Sequence, residues 1–259
     1  MSEHARDRRA ILRFTLVIDL HCHILHALDD GAIDLDDSLA MARQAESDGI
    51  EIVCATPHIR PDHEVSIPEL DERVLALNRE FGKEGVAVRV ARGGEVAETM
   101  VESMDDTTLR QVTLGGNGTW LLLEPRPGPL GGETVAVVDG LAERGFRAIV
   151  AHPERHPGER FQEWLEALAA RGALIQVTAA LVADGPAAPT ILALAGKGLV
   201  HLLGSDAHSS HGGRPLRISD GLARLGEVER LQAHLDWIAT DGPAAILRGE
   251  PVAPPFAPA

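Results

Sequence analysis

The sequence predicts a single-domain α/β protein whose parallel strands alternate with helices and close into a barrel. Short runs of aliphatic and β-branched residues alternate about seven times with longer segments of helical periodicity, and the connections between them are short. The chain has 259 residues, which matches the roughly 200 to 250 residues of one such barrel. We therefore expect one core and no division into two domains.

The predicted strands are short apolar runs, and most of them end in a polar residue. They cover residues 15–20, 51–56, 86–91, 119–124, 147–152, 174–179 and 199–205. The predicted helices cover residues 36–48, 68–81, 132–144, 159–171, 188–196, 219–226 and 228–239. Residues 96–118 are less regular, and we expect one short helix and a glycine-rich loop there.

The two ends of the chain differ in composition from the domain at residues 15–250. Residues 1–14 are predicted to form a polar extension, and residues 251–259, rich in Pro and Ala, a disordered or loosely docked tail. Arg13 and Asp19 interrupt the first apolar run, and no small-residue cleavage site follows it, so no targeting segment is expected. No apolar stretch approaches the roughly 20 residues of a membrane-spanning helix, which predicts a soluble protein without membrane insertion.

Charge and cysteine content argue against several classes of protein. The 24 Lys and Arg residues against 39 Asp and Glu residues give a net charge of -15. This charge disfavours partners that are themselves polyanions, such as nucleic acids and membrane surfaces. Two cysteines cannot build a disulfide framework, so we expect a reducing compartment.

Polar side chains recur where the predicted strands end. The stretch "IDLHCHILHALDDG" at residues 18–31 spans the end of the first strand, and "TPH", "GGE", "AHPER" and "GSDAH" mark the ends of later ones. Because the carboxyl ends of the strands share one face of a barrel, these side chains are expected to converge on a single site. The residues concerned are His21, His23, His58, Glu95, Glu124, His152, Asp206 and His208.

The chemistry of this set indicates a metal site with more than one ion. His21 and His23 share a face, because side chains two apart on a strand point the same way. Imidazoles and carboxylates without thiolates suit Zn, Mn or Fe. A single His or Glu at a strand end is usually a surface or capping residue, but clusters at six strand ends are hard to explain by coincidence. Two or three ions with bridging carboxylates account for so many candidate ligands better than one ion does.

In this order, the motifs "DLHCHIL", "DDG", "ATPH", "GGE", "AHPER", "GSDAH" and "GGRP" resemble those of the PHP (polymerase and histidinol phosphatase) superfamily. Within it, they are most similar to the bacterial metal-dependent protein tyrosine phosphatases of capsule and exopolysaccharide biosynthesis. The resemblance covers residues 17–250. It implies the PHP fold, a distorted TIM-like (β/α)7 barrel, with a trinuclear site that is usually described with manganese.

The resemblance also implies roles for individual residues. The ligands to two or three divalent ions would be His21, His23, Asp30, His58, Glu95, Glu124, His152, Asp206 and His208. Arg155 and Arg214 would hold the phosphate, and His208 would join them as a catalytic residue. A hydroxide between the ions would attack phosphorus in line. The implied partner is the phosphorylated C-terminal tail of a bacterial tyrosine autokinase, and the implied location is the cytoplasm.

Several alternatives stay open. A related phosphoesterase acting on a small alkyl phosphate such as histidinol phosphate would keep the same ligands, and so would a non-catalytic metal-binding scaffold. Residues 54–60 also satisfy the Cys-x5-Arg spacing of thiol-based tyrosine phosphatases. Pro57 removes a backbone donor that such a phosphate-binding loop needs. Cys54 stands in an apolar strand, so we expect it to be a buried thiol.

Other polar and aromatic residues are expected to be structural. His26 stands where relatives often carry proline and is interpreted as a solvated loop residue. The acids that open the helix near residue 36 are expected to form a solvated N-terminal turn. The three tryptophans are assigned to the core or to contacts between helices, and aromatic residues make up only 3% of a chain without tyrosine. Substrate recognition is therefore expected to rest mainly on the phosphate.

Overall fold

The strands of the protein, seen in a computed structural model that describes residues 16–256, all pair in parallel. They are β1 Val17–Cys22, β2 Ile50–Ala55, β3 His58–Ile59, β4 Arg89–Arg92, β5 Glu95–Ala97, β6 Trp120–Glu124, β7 Arg147–Ala151, β8 Leu174–Thr178 and β9 Leu202–Gly204. The predicted extension at residues 1–14 and the last three residues of the predicted tail lie outside the described part of the chain.

The strands form two sheets, in the orders β1-β2-β4 and β3-β5-β6-β7-β8-β9. The chain passes from the first sheet to the second at Pro57, which cannot donate a ladder hydrogen bond, and again at Gly93 and Gly94. A Cβ on Gly93 would lie 2.9 Å from the Cys54 sulfur, so only glycine allows this close approach.

Backbone hydrogen bonds connect the two ends of the strand series. The amide of Asp206 donates to the carbonyl of His21 at 2.9 Å, and the amide of His23 donates to the carbonyl of Ala207 at 2.9 Å. Cys22 and Ala207 form a parallel bridge beside them. The last strand of the series therefore lies beside the first, and the predicted parallel α/β fold is confirmed, with nine strands in two sheets.

The helices lie between the strands, mainly where helical periodicity predicts them. They are α1 Leu35–Asp48, α2 Leu70–Lys83, α3 Asp106–Gln111, α4 Gly132–Glu143, α5 Phe161–Ala169, α6 Ala179–Ala183, α7 Ala188–Gly196, α8 Ser219–Leu225 and α9 Gly242–Leu247. Helix α1 begins where the Asp34 side chain accepts from the amide of Asp37, and it ends at Gly49, whose φ is 85°.

Two predicted elements differ in the structure. The strand predicted at residues 199–205 is reduced to β9, because the imidazole of His201 accepts the amide of Ile175 at 2.9 Å. The helix predicted at residues 228–239 is a 3₁₀ segment, Glu229–His234, followed by a π turn, Trp237–Asp241. Leu231 and Ile238 of this segment are buried, but helical spacing in a sequence does not distinguish between these types of turn.

Two apolar clusters form the core. One contains Ile18, Leu122 and Leu174 from the strands and is covered by Ile246 of α9, so it fills the inside of the strand ring. The other packs the outer faces of the strands against the surrounding helices. Phe256 also belongs to the outer cluster with only 4% of its surface exposed, so the expectation of a loose tail is wrong for this residue. No helix within residues 16–256 combines the length and apolarity needed to cross a bilayer.

Candidate metal centre

The carboxyl ends of the strands bring all nine predicted ligand residues together. Their candidate ligand atoms form four overlapping groups, and within each group the atoms lie within 4.8 Å of one another. The groups are His23, Asp30, His58 and His208; His21, His23 and Glu95; His21, His152 and Asp206; and His58, Glu95 and Glu124. Shared members join the four groups into one cluster.

Glu95 lies at the centre of this cluster and is completely buried. One carboxylate oxygen, Oε1, is 2.8 Å from Nε2 of His152. The other, Oε2, is 3.3 Å from Nε2 of His21, 3.4 Å from Nε2 of His23 and 3.0 Å from Nδ1 of His58. Within the described chain, neither Oε2 nor Nδ1 of His58 has a properly oriented hydrogen-bond partner. A buried carboxylate oxygen surrounded by imidazole nitrogens in this way fits a shared cation better than a hydrogen-bond network.

Asp206 forms a second centre and meets both predicted phosphate-binding arginines. Its Oδ1 is 3.4 Å from Nε2 of His21 and 3.5 Å from Nδ1 of His208. Its Oδ2 accepts a hydrogen bond from Arg155 and lies 3.2 Å from Nε of Arg214. Both arginine side chains are about 30% exposed. Two guanidinium groups therefore border the cluster on the side that solvent can reach.

Asp30 and Glu124 complete the cluster on its other sides. Oδ1 of Asp30 is 3.5 Å from Nε2 of His58 and 3.5 Å from Nε2 of His208, and 61% of its side chain is exposed. Oε2 of Glu124 is 3.7 Å from Nδ1 of His58. The cluster is therefore open to solvent near Asp30 and closed around Glu95.

Hydrogen bonds from outside the cluster orient two of the imidazoles. Nδ1 of His21 lies 2.8 Å from the side-chain oxygen of Gln176, and Nδ1 of His23 lies 2.7 Å from Oδ2 of Asp29. Both partners are acceptors, so each imidazole carries a hydrogen on Nδ1, and its Nε2 faces Glu95 and Asp206. Asp29 also accepts the amide of His58 at 2.9 Å. The two acids of "DDG" thus have different contacts. Asp30 faces the cluster, whereas Asp29 forms hydrogen bonds to the residues that carry two of its imidazoles.

The backbone around the cluster is strained or tightly packed at several motif positions. His152 and Asp206 have positive φ values of 31° and 52°, a conformation that costs a residue with a side chain on the order of 1 to 3 kcal/mol. A Cβ on Gly31 would lie 2.3 Å from the carbonyl of His23, and one on Gly204 would lie 2.8 Å from the Gln176 side chain. The glycines of "DDG" and "GSD" are therefore required by close contact.

The carboxylates and imidazoles perturb each other's protonation. Burial raises the pKa of Glu95, but the neighbouring His21 and His152 outweigh it and hold that pKa well below its usual range. Burial lowers the pKa of His23, but hydrogen bonds to Asp29 and Glu95 outweigh it and raise that pKa to about 10. Burial and the charge of His23 lower the pKa of His208 to about 4. Protons therefore occupy part of this anionic site in the absence of a cation.

His26, His211 and Cys54 lie outside the four groups of possible ligands. His26 is half-buried beside a cavity of about 250 Å³ that Arg73 and Leu77 also line. It is therefore only partly solvated, although a solvated residue was expected. His211 is exposed. Cys54 is fully buried, its sulfur is 3.2 Å from the carbonyl of Arg92, and burial raises its pKa to about 12. The prediction that Cys54 is a buried thiol is confirmed.

Three polar residues near the cluster were not predicted from the sequence. Gln176 stands within the apolar strand segment "LIQVT", where a lone polar residue is the only signal. Asp29 is adjacent to the predicted ligand Asp30. Arg60 donates to Oε1 of Glu124 at 3.2 Å and is held by a bidentate pair with Asp62.

The chain matches a known protein family over almost the whole described region. Residues 17–248 match the family described as capsular polysaccharide synthesis, CpsB/CapC. The chain is 31% identical over 201 residues to the tyrosine-protein phosphatase YwqE of Bacillus subtilis (strain 168), covering 74% of this chain and 78% of the relative. It is 26% identical over 200 residues to the putative tyrosine-protein phosphatase CapC of Staphylococcus aureus, covering 74% and 77%.

Solved structures agree with this assignment. The fold matches a chain from the crystal structures of YwqE from Bacillus subtilis and CpsB from Streptococcus pneumoniae, described as unique metal-dependent tyrosine phosphatases. The TM-score is 0.81 at 29% identity, covering 93% of this chain and 99% of the other. Histidinol phosphate phosphatase from Lactococcus lactis shares the fold with a TM-score of 0.54 at 16% identity, covering 82% and 94%. The resemblance proposed from the motifs is confirmed, and the chain belongs to the CpsB/CapC family of capsular polysaccharide synthesis.

Proposed function

We propose that the chain is a metal-dependent protein tyrosine phosphatase. The observation that carries the proposal is the arrangement around Glu95 and Asp206, where imidazoles surround one carboxylate and two guanidinium groups meet the other. A cation site beside two phosphate-binding side chains is what hydrolysis of a phosphate ester requires. The names of the relatives YwqE and CapC support the same activity.

The nine residues of the four groups are proposed to hold two or three divalent ions. His21, His23 and His152 would supply nitrogens, Glu95 and Asp206 would supply oxygens, and the remaining ligands would be Asp30, His58, Glu124 and His208. Manganese is proposed from the family resemblance, and the donor set also suits iron and zinc. Divalent ions bound there would activate water for attack on phosphorus and reduce the charge on the phosphoryl oxygens.

Arg155 and Arg214 are proposed to bind the phosphoryl group. A guanidinium presents two parallel N–H groups, which match two phosphoryl oxygens better than an ammonium does. Arg155 is steadied by Thr178 Oγ1 at 3.1 Å, and Arg214 by the carbonyl of Asp206 at 2.6 Å. The side chains are thus held in place before substrate arrives, so little ordering remains to be done on binding.

His208 is proposed to bind an ion and to contact Arg214, the side chain proposed to bind the phosphate. Its Nδ1 lies 2.9 Å from Nη2 of Arg214, and its Nε2 faces Asp30. A tyrosine leaving group has an ordinary pKa of about 10, so its departure needs less protonation than an alkyl alcohol does. An aryl phosphate is therefore expected to be hydrolysed more readily than an alkyl phosphate.

The proposed substrate is a phosphotyrosine protein, namely the phosphorylated tail of a bacterial tyrosine autokinase that controls capsule or exopolysaccharide synthesis. The family description and the relatives' names support this choice. Both cysteines are free and buried, which favours the reducing cytoplasm as the place of action.

The test combines elemental analysis with turnover. Purified protein is assayed for Mn, Fe and Zn and then compared, at equal metal loading, on a phosphotyrosine peptide and on histidinol phosphate, before and after chelation. We expect turnover of the peptide that disappears on chelation, returns with Mn²⁺ and is unaffected by Cys54→Ser. Preference for histidinol phosphate would contradict the tyrosine phosphatase assignment, and binding of Mn²⁺ without hydrolysis of either ester would indicate a scaffold.

A further inference from the structure

Helix α1 presents a row of polar side chains to the segment that carries Arg214. We call residues 209–219 the Arg214 loop. Its contacts to α1 are made by Asp37, Gln44 and Asp48, which are spaced by seven and four positions and therefore lie along one side of the helix. The expectation that the acids of this helix form a solvated turn is wrong for Asp37, which is 3% exposed.

Asp37 connects two loops of the cluster. Its Oδ1 accepts the amide of Ser210 at 2.8 Å and the hydroxyl of Ser210 at 2.5 Å. Its Oδ2 accepts the amide of Ile33 at 3.3 Å. Ser210 is two residues from His208, and Ile33 is three residues from Asp30. One buried carboxylate therefore fixes the separation of the two loops on which Asp30 and His208 face each other.

Gln44 and Asp48 hold the rest of the Arg214 loop. The Gln44 amide donates to the carbonyl of Ser210 at 2.9 Å and accepts the amide of Leu216 at 3.3 Å. Asp48 accepts the amides of Ile218 at 2.7 Å and Ser219 at 3.0 Å, and also the hydroxyl of Ser219. Backbone groups on both sides of Arg214 are thus bound by side chains of one helix.

The Arg214 loop needs such support, because it has no regular structure of its own before α8. Gly212 and Gly213 precede Arg214 directly, and Gly213 has a φ of 72°. Glycines give a loop many conformations in which the guanidinium would point elsewhere. Side-chain acceptors on a rigid helix select one of them.

We propose that Asp37, Gln44 and Asp48 are positioning residues that hold Arg214 over the metal cluster for phosphate binding. The inference rests on the proposed function, because its effect on turnover requires that Arg214 bind phosphate. The three residues act through the loop and touch no reacting atom. Loss of Gln44 or Asp48 should weaken substrate binding through Arg214 rather than through the ions, whereas loss of Asp37 should also affect the loops that carry Asp30 and His208.

Gln44→Ala is the sharpest variant, because Gln44 is partly exposed and touches no proposed ligand. Loss of its hydrogen bonds should raise KM for a phosphotyrosine peptide about 3- to 10-fold, with Mn²⁺ content unchanged. In an Arg214→Ala background the same substitution should change KM by less than about twofold, because Arg214 is already absent. The matched control is Ser47→Ala, an exposed site on the same helix, which should leave KM unchanged in both backgrounds.

Amide hydrogen exchange tests whether α1 holds the Arg214 loop without any measurement of activity. The amide of Leu216 donates to the Gln44 side chain and should exchange faster in Gln44→Ala than in Ser47→Ala. Asp37→Ala, if it folds, should accelerate exchange at Ile33 as well. Unchanged exchange in Gln44→Ala, or an equal effect on KM in both backgrounds, would overturn the inference. If wild-type protein does not hydrolyse the peptide, the proposed function fails, while exchange still decides whether α1 holds the loop.

Discussion

The side-chain oxygen of Gln176 lies 2.8 Å from Nδ1 of His21, although 155 positions separate the two residues. Both are buried, so the contact persists without competition from water. It keeps the hydrogen of His21 on Nδ1 and presents Nε2 to Glu95 and Asp206. An acceptor of this kind orients a ligand imidazole and increases its basicity.

Gln176→Leu should weaken metal binding. The substitution keeps the approximate size of the side chain but leaves His21 without its acceptor, so Mn²⁺ affinity should fall about 10- to 100-fold. Titration calorimetry on metal-free protein measures this directly. Gln162→Leu, on the surface of α5, is the control, and Gln176→Glu should retain more affinity because it keeps an acceptor. Equal affinities for Gln176→Leu and wild type would show that His21 needs no such support.

Metal uptake should release protons and strengthen as pH rises. In the absence of an ion, the pKa of His23 is about 10. Burial lowers this pKa, but the hydrogen bonds to Asp29 and Glu95 raise it by more than burial lowers it. A ligand imidazole must lose a proton from the nitrogen that binds the ion. Below that pKa, affinity for Mn²⁺ should therefore rise by up to about tenfold per pH unit for each proton displaced. Calorimetry at pH 6.5, 7.5 and 8.5, in buffers of different ionisation enthalpy, counts these protons; affinity independent of pH would rule out this linkage.

His201 should make the fold sensitive to acid. Burial lowers its pKa from 6.5 to about 4, and its imidazole accepts the amide of Ile175 while its Nε2 faces the carbonyl of Gly198. As the pH falls below 6.5, the imidazole of His201 binds a proton in the unfolded state, but in the folded state it does so only near pH 4. The free energy of unfolding therefore decreases between these two pH values. Lowering the pH from 7.5 to 5 should cost about 2 kcal/mol through this group alone.

Urea unfolding of metal-free wild type and His201→Asn at both pH values tests this contribution. The asparagine variant is expected to be less stable at pH 7.5 but to lose less stability on acidification. His211→Asn, at an exposed position, serves as the control and should follow wild type. A variant as acid-sensitive as wild type would assign the acid response to other groups.

Arg155 and Arg214 should contribute to turnover without holding the ions. Arg214→Ala would remove the proposed hydrogen bonds to the phosphoryl group, so kcat/KM for a phosphotyrosine peptide should fall about 10²- to 10³-fold. Arg155→Lys keeps the charge but loses the paired donors and should recover little of the activity. Mn²⁺ content by elemental analysis should stay at the wild-type level in both. Arg160→Ala, an exposed arginine close to Arg155 in sequence, should behave as wild type; loss of Mn²⁺ together with activity would place the arginines in the metal site instead.

The sequence allowed the positions of the candidate site to be predicted because they follow from topology. Parallel strands bring their carboxyl ends to one face, so His21, Glu95 and His152 could be grouped without coordinates. The residues that hold these side chains and their loops in place could not be predicted in this way. Gln176 and Asp37 act only through tertiary contacts, and neither residue type at its position signals a role beyond packing or capping.

Other details of the fold depend on side chains that interfere with backbone pairing. The imidazole of His201 accepts the Ile175 amide, which shortens β9 relative to its apolar run. The positive φ values of His152 and Asp206 contradict the local preferences of these residues, and the surrounding structure holds them in place. Phe256 is buried against Trp237, although its neighbours are the prolines and alanines of a typical loose tail.

Anomalous diffraction from crystals grown with Mn²⁺ tests the central claim most directly. The arrangement around Glu95 and Asp206 predicts two or three manganese peaks within bonding distance of these carboxylates, with His21, His58 and His152 among their ligands. A map without such peaks, or with manganese bound only elsewhere on the surface, would contradict it.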